Sequence, residues 1–75
     1  MADRDKLLTQ VGAKIRSLRE NRGISQEALG EKAGLHRTYI GGVERGLRNA
    51  SVKSLAKIAK ALGVTVGQFF AGESD

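Results

Sequence analysis

The chain has 75 residues, one histidine and neither cysteine nor proline, and its 13 lysines and arginines against 8 aspartates and glutamates give a net charge of +5. A chain of this length folds as one domain at most, and without cysteine it has no disulfide framework or thiolate metal site and fits a reducing cytoplasm. We expect no metal, no cofactor and no membrane contact, because no apolar run approaches the roughly 20 residues that cross a bilayer.

The first predicted helix spans about residues 5 to 22. Its apolar positions recur at the spacing of one helical face, namely Leu8, Val11, Ile15 and Leu18. Gly23 follows directly, and glycine is the residue that most often adopts the left-handed conformation after a helix end. We therefore expect this helix to place one face against a core and to end before Gly23.

Two short helices, separated by Gly34, are predicted next. Ser25 is a suitable N-cap for the first, over residues 26 to 33, because its hydroxyl can accept a free backbone amide. The second spans about residues 37 to 45, and we interpret His36 as its polar cap. Helices joined by so short a turn at a large angle need a residue with positive φ, which Gly34 provides.

A fourth and a fifth helix complete the prediction. Ser51 caps the fourth helix, which ends at Gly63. Thr65 begins the fifth, and Gln68 lies three residues later, at the spacing of a capping box. Together the elements predict an all-α, compact five-helix fold, with one domain over residues 5–70 and flexible tails at residues 1–4 and 71–75.

The helices on either side of Gly34 have the features of a helix-turn-helix. Gly30 is small enough for the following helix to cross closely, and Ile40 and Val43 are spaced to point back at the preceding one. The residues then predicted to face outward are His36, Arg37, Thr38, Gly41 and Gly42. Tyr39 is expected at the edge, with its ring partly packed and its hydroxyl in water.

An outward polar face of this kind suits the major groove of DNA. Arginine can form a bidentate pair with guanine, and threonine can bond a base edge or contact a thymine methyl group. The two glycines cost roughly 1 kcal/mol each relative to alanine, and we interpret them as clearance for a close approach between backbone and groove. A simple lack of demand for side chains at these positions is the alternative interpretation.

The distribution of charge favours the same partner. Residues 36 to 72 contain one acidic side chain, Glu44, and six basic ones: Arg37, Arg45, Arg48, Lys53, Lys57 and Lys60. A basic surface indicates an anionic partner, most often nucleic acid. Charge alone leaves an ordinary basic, soluble domain as an equal alternative.

Several motifs together resemble the lambda-repressor-like helix-turn-helix family, also called the XRE type. They are QEAL at residues 26–29, Gly34, Ile40, VERG at residues 43–46, and Leu55 followed by LGV at residues 62–64. The similarity covers about residues 8 to 70, and GLHRTYI, VERG and RN look most like the controller proteins of restriction-modification systems. Gly30 departs from the family pattern, which usually has alanine there.

The resemblance implies a five-helix domain whose third helix contacts double-stranded DNA. It implies base contacts by Arg37, Thr38 and Tyr39. It implies contacts with the DNA backbone by Gln26, Arg48, Asn49 and Lys53. The position of Gln26 at the start of a helix agrees with this role, because the free amides there bind phosphate readily.

The resemblance also implies an internal ion pair and a homodimer. Arg19 and Glu44 are similar to a family pair that joins the first helix to the end of the third, which would make Glu44 structural. Members of the family usually bind as symmetric dimers, with half-sites about 34–36 Å apart. The candidate dimer surface consists of Val64, Val66 and Phe69 or Phe70, because so small a domain cannot easily bury them all. Of the two phenylalanines, Phe69 is the more typical of a core and Phe70 of an interface.

The resulting prediction is a dimeric, sequence-specific regulator of transcription in a bacterial or phage system. A phage-type or general XRE repressor is the alternative among DNA readers, and an antitoxin or adaptor for protein contacts is the alternative of another class. An adaptor could dispense with Arg37, Thr38 and the loop at residues 48–49. No nucleophile–base pair, phosphate-binding loop or metal spacing indicates an enzyme, and we expect no small-molecule ligand because no ligand-binding domain follows.

Overall fold

Four α-helices form the domain in the computed structural model, which describes residues 5–70; the predicted tails lie outside these residues. The helices are α1 (Lys6–Asn21), α2 (Gln26–Ala33), α3 (Arg37–Glu44) and α4 (Val52–Leu62), followed by a 3₁₀ helix at Val66–Phe69. The predicted all-α architecture is confirmed. None of these helices is long and apolar enough to cross a bilayer.

The predicted fifth α-helix is wrong, because a single 3₁₀ turn takes its place. Its backbone bonds join residues three apart: Gln68 N–H donates to the Thr65 carbonyl, and Phe70 N–H donates to the Gly67 carbonyl, both at 3.0 Å. Gly67 lies inside this turn, and glycine is a poor α-helix former. The predicted Gln68 cap does form, since its side-chain oxygen accepts the Thr65 N–H at 3.2 Å.

Side-chain caps set the starts of α1, α2 and α4. Asp5 accepts the N–H of Leu7 at 2.8 Å. The predicted caps Ser25 and Ser51 are confirmed, because each hydroxyl accepts the amide of the third residue after it at 3.0 Å. Each cap satisfies one of the backbone amides that a helix leaves free in its first turn.

Two glycines shape the turn between α2 and α3. Gly34 has a φ of +72°, in the left-handed region that favours glycine, as predicted. The chain reverses so tightly that Leu35 donates its N–H to the Gly30 carbonyl at 2.8 Å. A Cβ atom at Gly30 would lie 2.5 Å from the Leu35 carbonyl oxygen. The close approach predicted at Gly30 is therefore confirmed, with the turn itself as its nearest neighbour.

The core lies among the four helices, and each helix contributes one side chain with no solvent exposure: Ile15, Leu29, Ile40 and Ile58. Phe69 closes this core from the 3₁₀ helix and is 1% exposed. The assignment of Phe69 to the dimer surface is therefore wrong, because its ring is already covered within the chain. Burying a phenylalanine stabilises a fold by roughly 1.5–3 kcal/mol, which a small core needs.

Gly12 brings α1 into backbone contact with the end of α3. A Cβ atom at Gly12 would lie 2.6 Å from the carbonyl oxygen of Glu44, well inside normal contact distance. No side chain other than hydrogen fits between the two helices at this point. Gly12 therefore helps to fix the orientation of α3, although the apolar periodicity of the sequence did not single it out.

Candidate nucleic-acid interface

His36 caps the start of α3 with its imidazole, as predicted. Its Nδ1 accepts the Thr38 N–H at 3.1 Å and lies 2.8 Å from the Thr38 hydroxyl oxygen. The imidazole thereby satisfies one of the free amides in the first turn of α3 and holds the Thr38 side chain close to the cap.

Arg37 and Thr38 occupy the first turn of α3 and are exposed. Nη1 of Arg37 lies 3.8 Å from Oε1 of Glu27 on α2, with these side chains 62% and 64% exposed. An exposed ion pair at this distance is weak, so the guanidinium remains available to another anion. Tyr39 follows, half-buried against the core, which confirms its expected place at the edge.

A buried salt bridge holds the far end of α3. Arg19 of α1 donates from Nε to Glu44 Oε2 at 2.6 Å and from Nη2 to Glu44 Oε1 at 3.1 Å. The two side chains are 10% and 1% exposed. The hydrogen bonds that Arg19 donates to Glu44 stabilise the charged guanidinium and raise the pKa of Arg19 above its ordinary value. The ion pair implied by the family resemblance is present and joins α1 to α3.

Gln26, half-buried at the start of α2, also bonds to Glu44. Its side-chain amide donates to Glu44 Oε1 at 3.0 Å, which fixes the orientation of the amide group. The opposite oxygen, Oε1 of Gln26, lies over Gly41, where a Cβ atom would be 3.3 Å away. The contact of Gln26 with the DNA backbone stays a prediction, but the residue also has a structural partner that the sequence did not indicate.

The glycine pair in α3 is buried, so the prediction that it faces outward is wrong. Gln26 lies over Gly41, and Arg48 lies over Gly42, where a Cβ atom would be 2.8 Å from Arg48 Cγ. Because side chains of this chain occupy the space above both glycines, the interpretation as open clearance for DNA fails as well. The pair instead lets two polar side chains lie close against α3.

Arg48 lies against α3 at Gly42 and extends toward Tyr39. The loop that carries it is tied to the helix, because Leu47 donates its N–H to the Gly42 carbonyl at 2.9 Å. The guanidinium carbon of Arg48 is 5.8 Å from the centre of the Tyr39 ring, near the outer limit of a cation–π contact. The structure therefore brings Arg48 close to Tyr39, one of the three predicted base-contacting residues of α3.

The other predicted site residues are spread more widely. Asn49 is exposed in the loop after α3, and Lys53 is exposed in the first turn of α4. Phe70 is 39% exposed and borders a shallow, mainly apolar groove that Asn49 also lines. Val64 and Val66 are half-buried. Among residues 5–70, histidines and acidic residues form no group of three that could hold a metal ion.

The arrangement of α2, the turn at Gly34 and α3 is that of a helix-turn-helix. A family model described as helix-turn-helix matches residues 15–69. The chain belongs to the XRE-type helix-turn-helix family. The matched segment of this helix-turn-helix protein includes α2, α3, α4 and both partners of the Arg19–Glu44 salt bridge.

The helix-turn-helix protein is similar to two curated control proteins. It is 50% identical over 54 residues to the control protein C.BamHI of Bacillus amyloliquefaciens, which covers 71% of this chain and 67% of that protein. It is 52% identical over 52 residues to the control protein C.SmaI of Serratia marcescens, which covers 69% of this chain and 62% of that protein. The chain thus spans about two thirds of the length of these relatives.

A solved structure shares the fold of the helix-turn-helix protein. It is the restriction-modification controller protein C.Esp1396I, as a tetramer in complex with its natural 35 base-pair operator. The TM-score is 0.80 at 44% identity, and the similarity covers 88% of this chain and 87% of that chain. The likeness extends over α1 to α4 rather than over the helix-turn-helix alone.

Sequence reasoning missed several contacts of this helix-turn-helix protein, among them Gly12 with Glu44, Gln26 with Glu44, Gly42 with Arg48, and Glu27 with Arg37. A glycine inside a helical pattern often indicates close packing against a neighbour. Gly12 could therefore have been identified from the sequence. The sequence offers no comparable signal for the identity of the atoms that cover Gly42.

Proposed function

We propose that this helix-turn-helix protein is a sequence-specific regulator of transcription that binds double-stranded DNA as a dimer, of the controller type known from restriction-modification systems. One observation carries the proposal: Arg37, Thr38 and Arg48 are exposed around Tyr39 on the outer side of α3. In helix-turn-helix proteins this side enters the major groove. The similarity to a controller protein solved on its operator supports the same class of partner.

Direct base contacts are assigned to Arg37 and Thr38. Arg37 gives up only its weak interaction with Glu27 when its guanidinium forms a bidentate pair with guanine. Thr38 is exposed next to Arg37, so its hydroxyl can bond a base edge or its methyl group can contact a thymine methyl group. Tyr39, half-buried beside them, is assigned to an adjacent base.

Contacts with phosphate groups surround this base-reading surface. They are assigned to Gln26, Arg48, Asn49 and Lys53. Gln26 opens α2, where free amides and the positive end of the helix dipole attract a phosphate. Because such contacts release counterions from the DNA, affinity should fall steeply as salt concentration rises.

The dimer is assigned to the apolar surface that follows α4. Val64 and Val66 are half-buried and Phe70 is 39% exposed, so all three keep apolar area for a second copy. Val52 at the start of α4 is 78% exposed and is the rival centre of the dimer surface. Phe70→Glu should give a monomer in analytical sedimentation at micromolar concentration. A dimer that survives Phe70→Glu but not Val52→Glu would move the surface to the start of α4.

A fluorescence anisotropy titration tests the proposed function. The probe is a labelled duplex that carries the promoter region of the protein's own gene, with a random duplex of equal length as the control. Specific binding should exceed binding to the random duplex by about 10³-fold or more, and footprinting should show inverted half-sites centred about 34–36 Å apart. Equal affinity for the two duplexes would contradict specific recognition.

A further inference from the structure

The side chain of Arg48 runs across the backbone of α3 at Gly42. A Cβ atom at Gly42 would lie 2.8 Å from Arg48 Cγ, 3.4 Å from its Nε and 3.5 Å from its Cδ. The first distance is shorter than Cβ atoms tolerate, so Arg48 can hold this position only if residue 42 has no side chain. The contact involves the aliphatic stem and Nε of Arg48, and the terminal nitrogens of the guanidinium extend beyond Gly42.

Backbone contacts place Arg48 above this point. Gly46 has a φ of +74° and turns the chain back toward α3. Leu47 then donates its N–H to the carbonyl of Gly42 itself, at 2.9 Å. The loop is thereby fixed one residue before Arg48, and the side chain of Arg48 is laid over the helix position that accepted this bond.

The guanidinium of Arg48 lies beyond Gly42, near the ring of Tyr39. Residues three apart on a helix share a face, so Tyr39 lies one turn from Gly42 on the side toward the start of α3. The 5.8 Å separation between the Arg48 guanidinium carbon and the ring centre follows from that geometry. Arg48 is exposed, and its charge lies near Tyr39, the residue that follows Arg37 and Thr38 on α3.

We propose that Gly42 is a positioning residue for DNA recognition, which seats Arg48 against α3 so that its guanidinium joins the surface of Arg37, Thr38 and Tyr39. The proposal deepens the proposed function and rests on it. Gly42 does not contact DNA in this assignment, because Arg48 covers it. Its effect on affinity is transmitted entirely through the direction of the Arg48 side chain.

A double-mutant cycle on the full chain tests this assignment, with Gly42→Ala, Arg48→Ala and the double variant titrated against the promoter duplex described above. Arg48→Ala should lower affinity by about 10-fold, as loss of one strong DNA contact does. Gly42→Ala should lower affinity by about 5-fold or more in the presence of Arg48, because the methyl group turns Arg48 away. In the Arg48→Ala background, Gly42→Ala should change affinity by less than about 2-fold.

Gly41→Ala is the matched control. It adds the same methyl group to the neighbouring position of α3, but its nearest neighbours belong to Gln26 rather than to Arg48. Its effect on affinity, whatever the size, should therefore be the same with and without Arg48. Gly42→Ala should also melt at or above the temperature of the parent chain, since alanine is the better helix former. A lower melting temperature would mean that the methyl group distorts α3, and would overturn the proposal.

The free protein provides a readout that does not depend on DNA. The NMR resonance of the Arg48 Nε–H should move in Gly42→Ala, whereas Gly41→Ala should leave it in place. An unmoved resonance, or an equal loss of affinity from Gly42→Ala with and without Arg48, would overturn the positioning role alone. A parent chain that binds the promoter and random duplexes equally would instead reject the proposed function, and the role of Gly42 in DNA recognition with it.

Discussion

Gly12 and Gly42 both lie under atoms that leave no room for a side chain, but the atoms differ in kind. The backbone of α3 covers Gly12, with the Glu44 carbonyl oxygen 2.6 Å from the position of a Cβ atom, whereas the side chain of Arg48 covers Gly42 at 2.8 Å. A backbone moves only if its helix moves, while an exposed side chain can rotate away. Gly12 therefore permits the packing of α1 against α3, whereas Gly42 determines the position of the Arg48 guanidinium.

This difference divides α3 into two regions. The C-terminal region is fastened to α1 by Gly12 and by the buried Arg19–Glu44 salt bridge. The N-terminal region presents Arg37 and Thr38 to solvent. Substitutions in the fastened region should lower stability, and substitutions in the exposed region should lower DNA affinity while the fold persists.

Glu44→Gln should have the largest effect, and the effect should be on stability. Loss of the carboxylate leaves the buried Arg19 guanidinium charged, with only the weaker influence of Glu20 to offset its charge. Breaking a buried pair in this way costs roughly 3–5 kcal/mol, a large share of the stability of so small a domain. Thermal unfolding followed by circular dichroism should show a melting temperature far below that of the parent chain.

The exposed pair Arg16–Glu20 on α1 is the matched control for Glu44→Gln. Nε of Arg16 lies 3.0 Å from Oε2 of Glu20, with side chains 61% and 54% exposed. Glu20→Gln should change the free energy of unfolding by no more than about 1 kcal/mol, because water screens the pair. If both substitutions lowered the free energy of unfolding equally, burial would not explain the strength of the Arg19–Glu44 salt bridge between α1 and α3.

Gly12→Ala should be the next most damaging change, although alanine is the better helix former. Forcing a methyl group into a packed contact costs typically about 1–3 kcal/mol, and the gain in helix propensity recovers at most about 1 kcal/mol. Urea denaturation should give a lower free energy of unfolding for Gly12→Ala and an unchanged or higher one for Gly42→Ala. If both substitutions raised the free energy of unfolding, the proposed difference between Gly12 and Gly42 would be wrong.

The starts of the helices and the sharp turn could be predicted from the sequence because their causes are local. Ser25, Ser51 and His36 each accept an amide from a residue two or three positions later. Gly34 acts through its own φ. A pattern read along the chain contains all the atoms involved in these features, so the prediction and the structure agree.

The fifth helix fails for a local reason, Gly67, but the other wrong predictions depend on atoms that a local pattern does not contain. Gly41 and Gly42 are buried because Gln26 comes from the preceding helix and Arg48 from the following loop. Phe69 is buried because the four helices leave a space at the core that its ring fills. Apolar spacing shows that a residue can face a core, but the choice between core and partner surface depends on how much of the core other side chains have filled.

Arg37→Ala tests the exposed region of α3 and should leave the melting temperature unchanged. It should lower affinity for the promoter duplex by roughly 1–3 kcal/mol and relax specificity at one base pair, if the guanidinium contacts a guanine. Titrations against duplexes with single base-pair changes would measure both effects. Arg45, exposed just after α3, provides the control, and Arg45→Ala should have a smaller effect without a change in specificity. A uniform loss across all sequences would make Arg37 a phosphate contact.

Glu27→Gln should have the smallest effect, and it should raise DNA affinity. The carboxylate of Glu27 is 3.8 Å from Nη1 of Arg37, so it competes with DNA for the guanidinium and repels nearby phosphates. Glu27 also lies in the first turn of α2, where an acidic side chain stabilises the helix by about 0.3–1 kcal/mol. We therefore expect affinity to rise by about 2- to 3-fold, a change that corresponds to a weak exposed pair, while the melting temperature falls slightly.

Glu31→Gln distinguishes competition for Arg37 from general repulsion of DNA. Glu31 is exposed on the next turn of α2 and has no salt-bridge partner among residues 5–70. If Glu27 acts through Arg37, the gain from Glu27→Gln should exceed that from Glu31→Gln and should disappear in an Arg37→Ala background. If both substitutions raised DNA affinity equally, and also did so without Arg37, the acidic face of α2 would act only through its long-range electrostatic field. Arg37 would then be unpaired from Glu27 in the free protein.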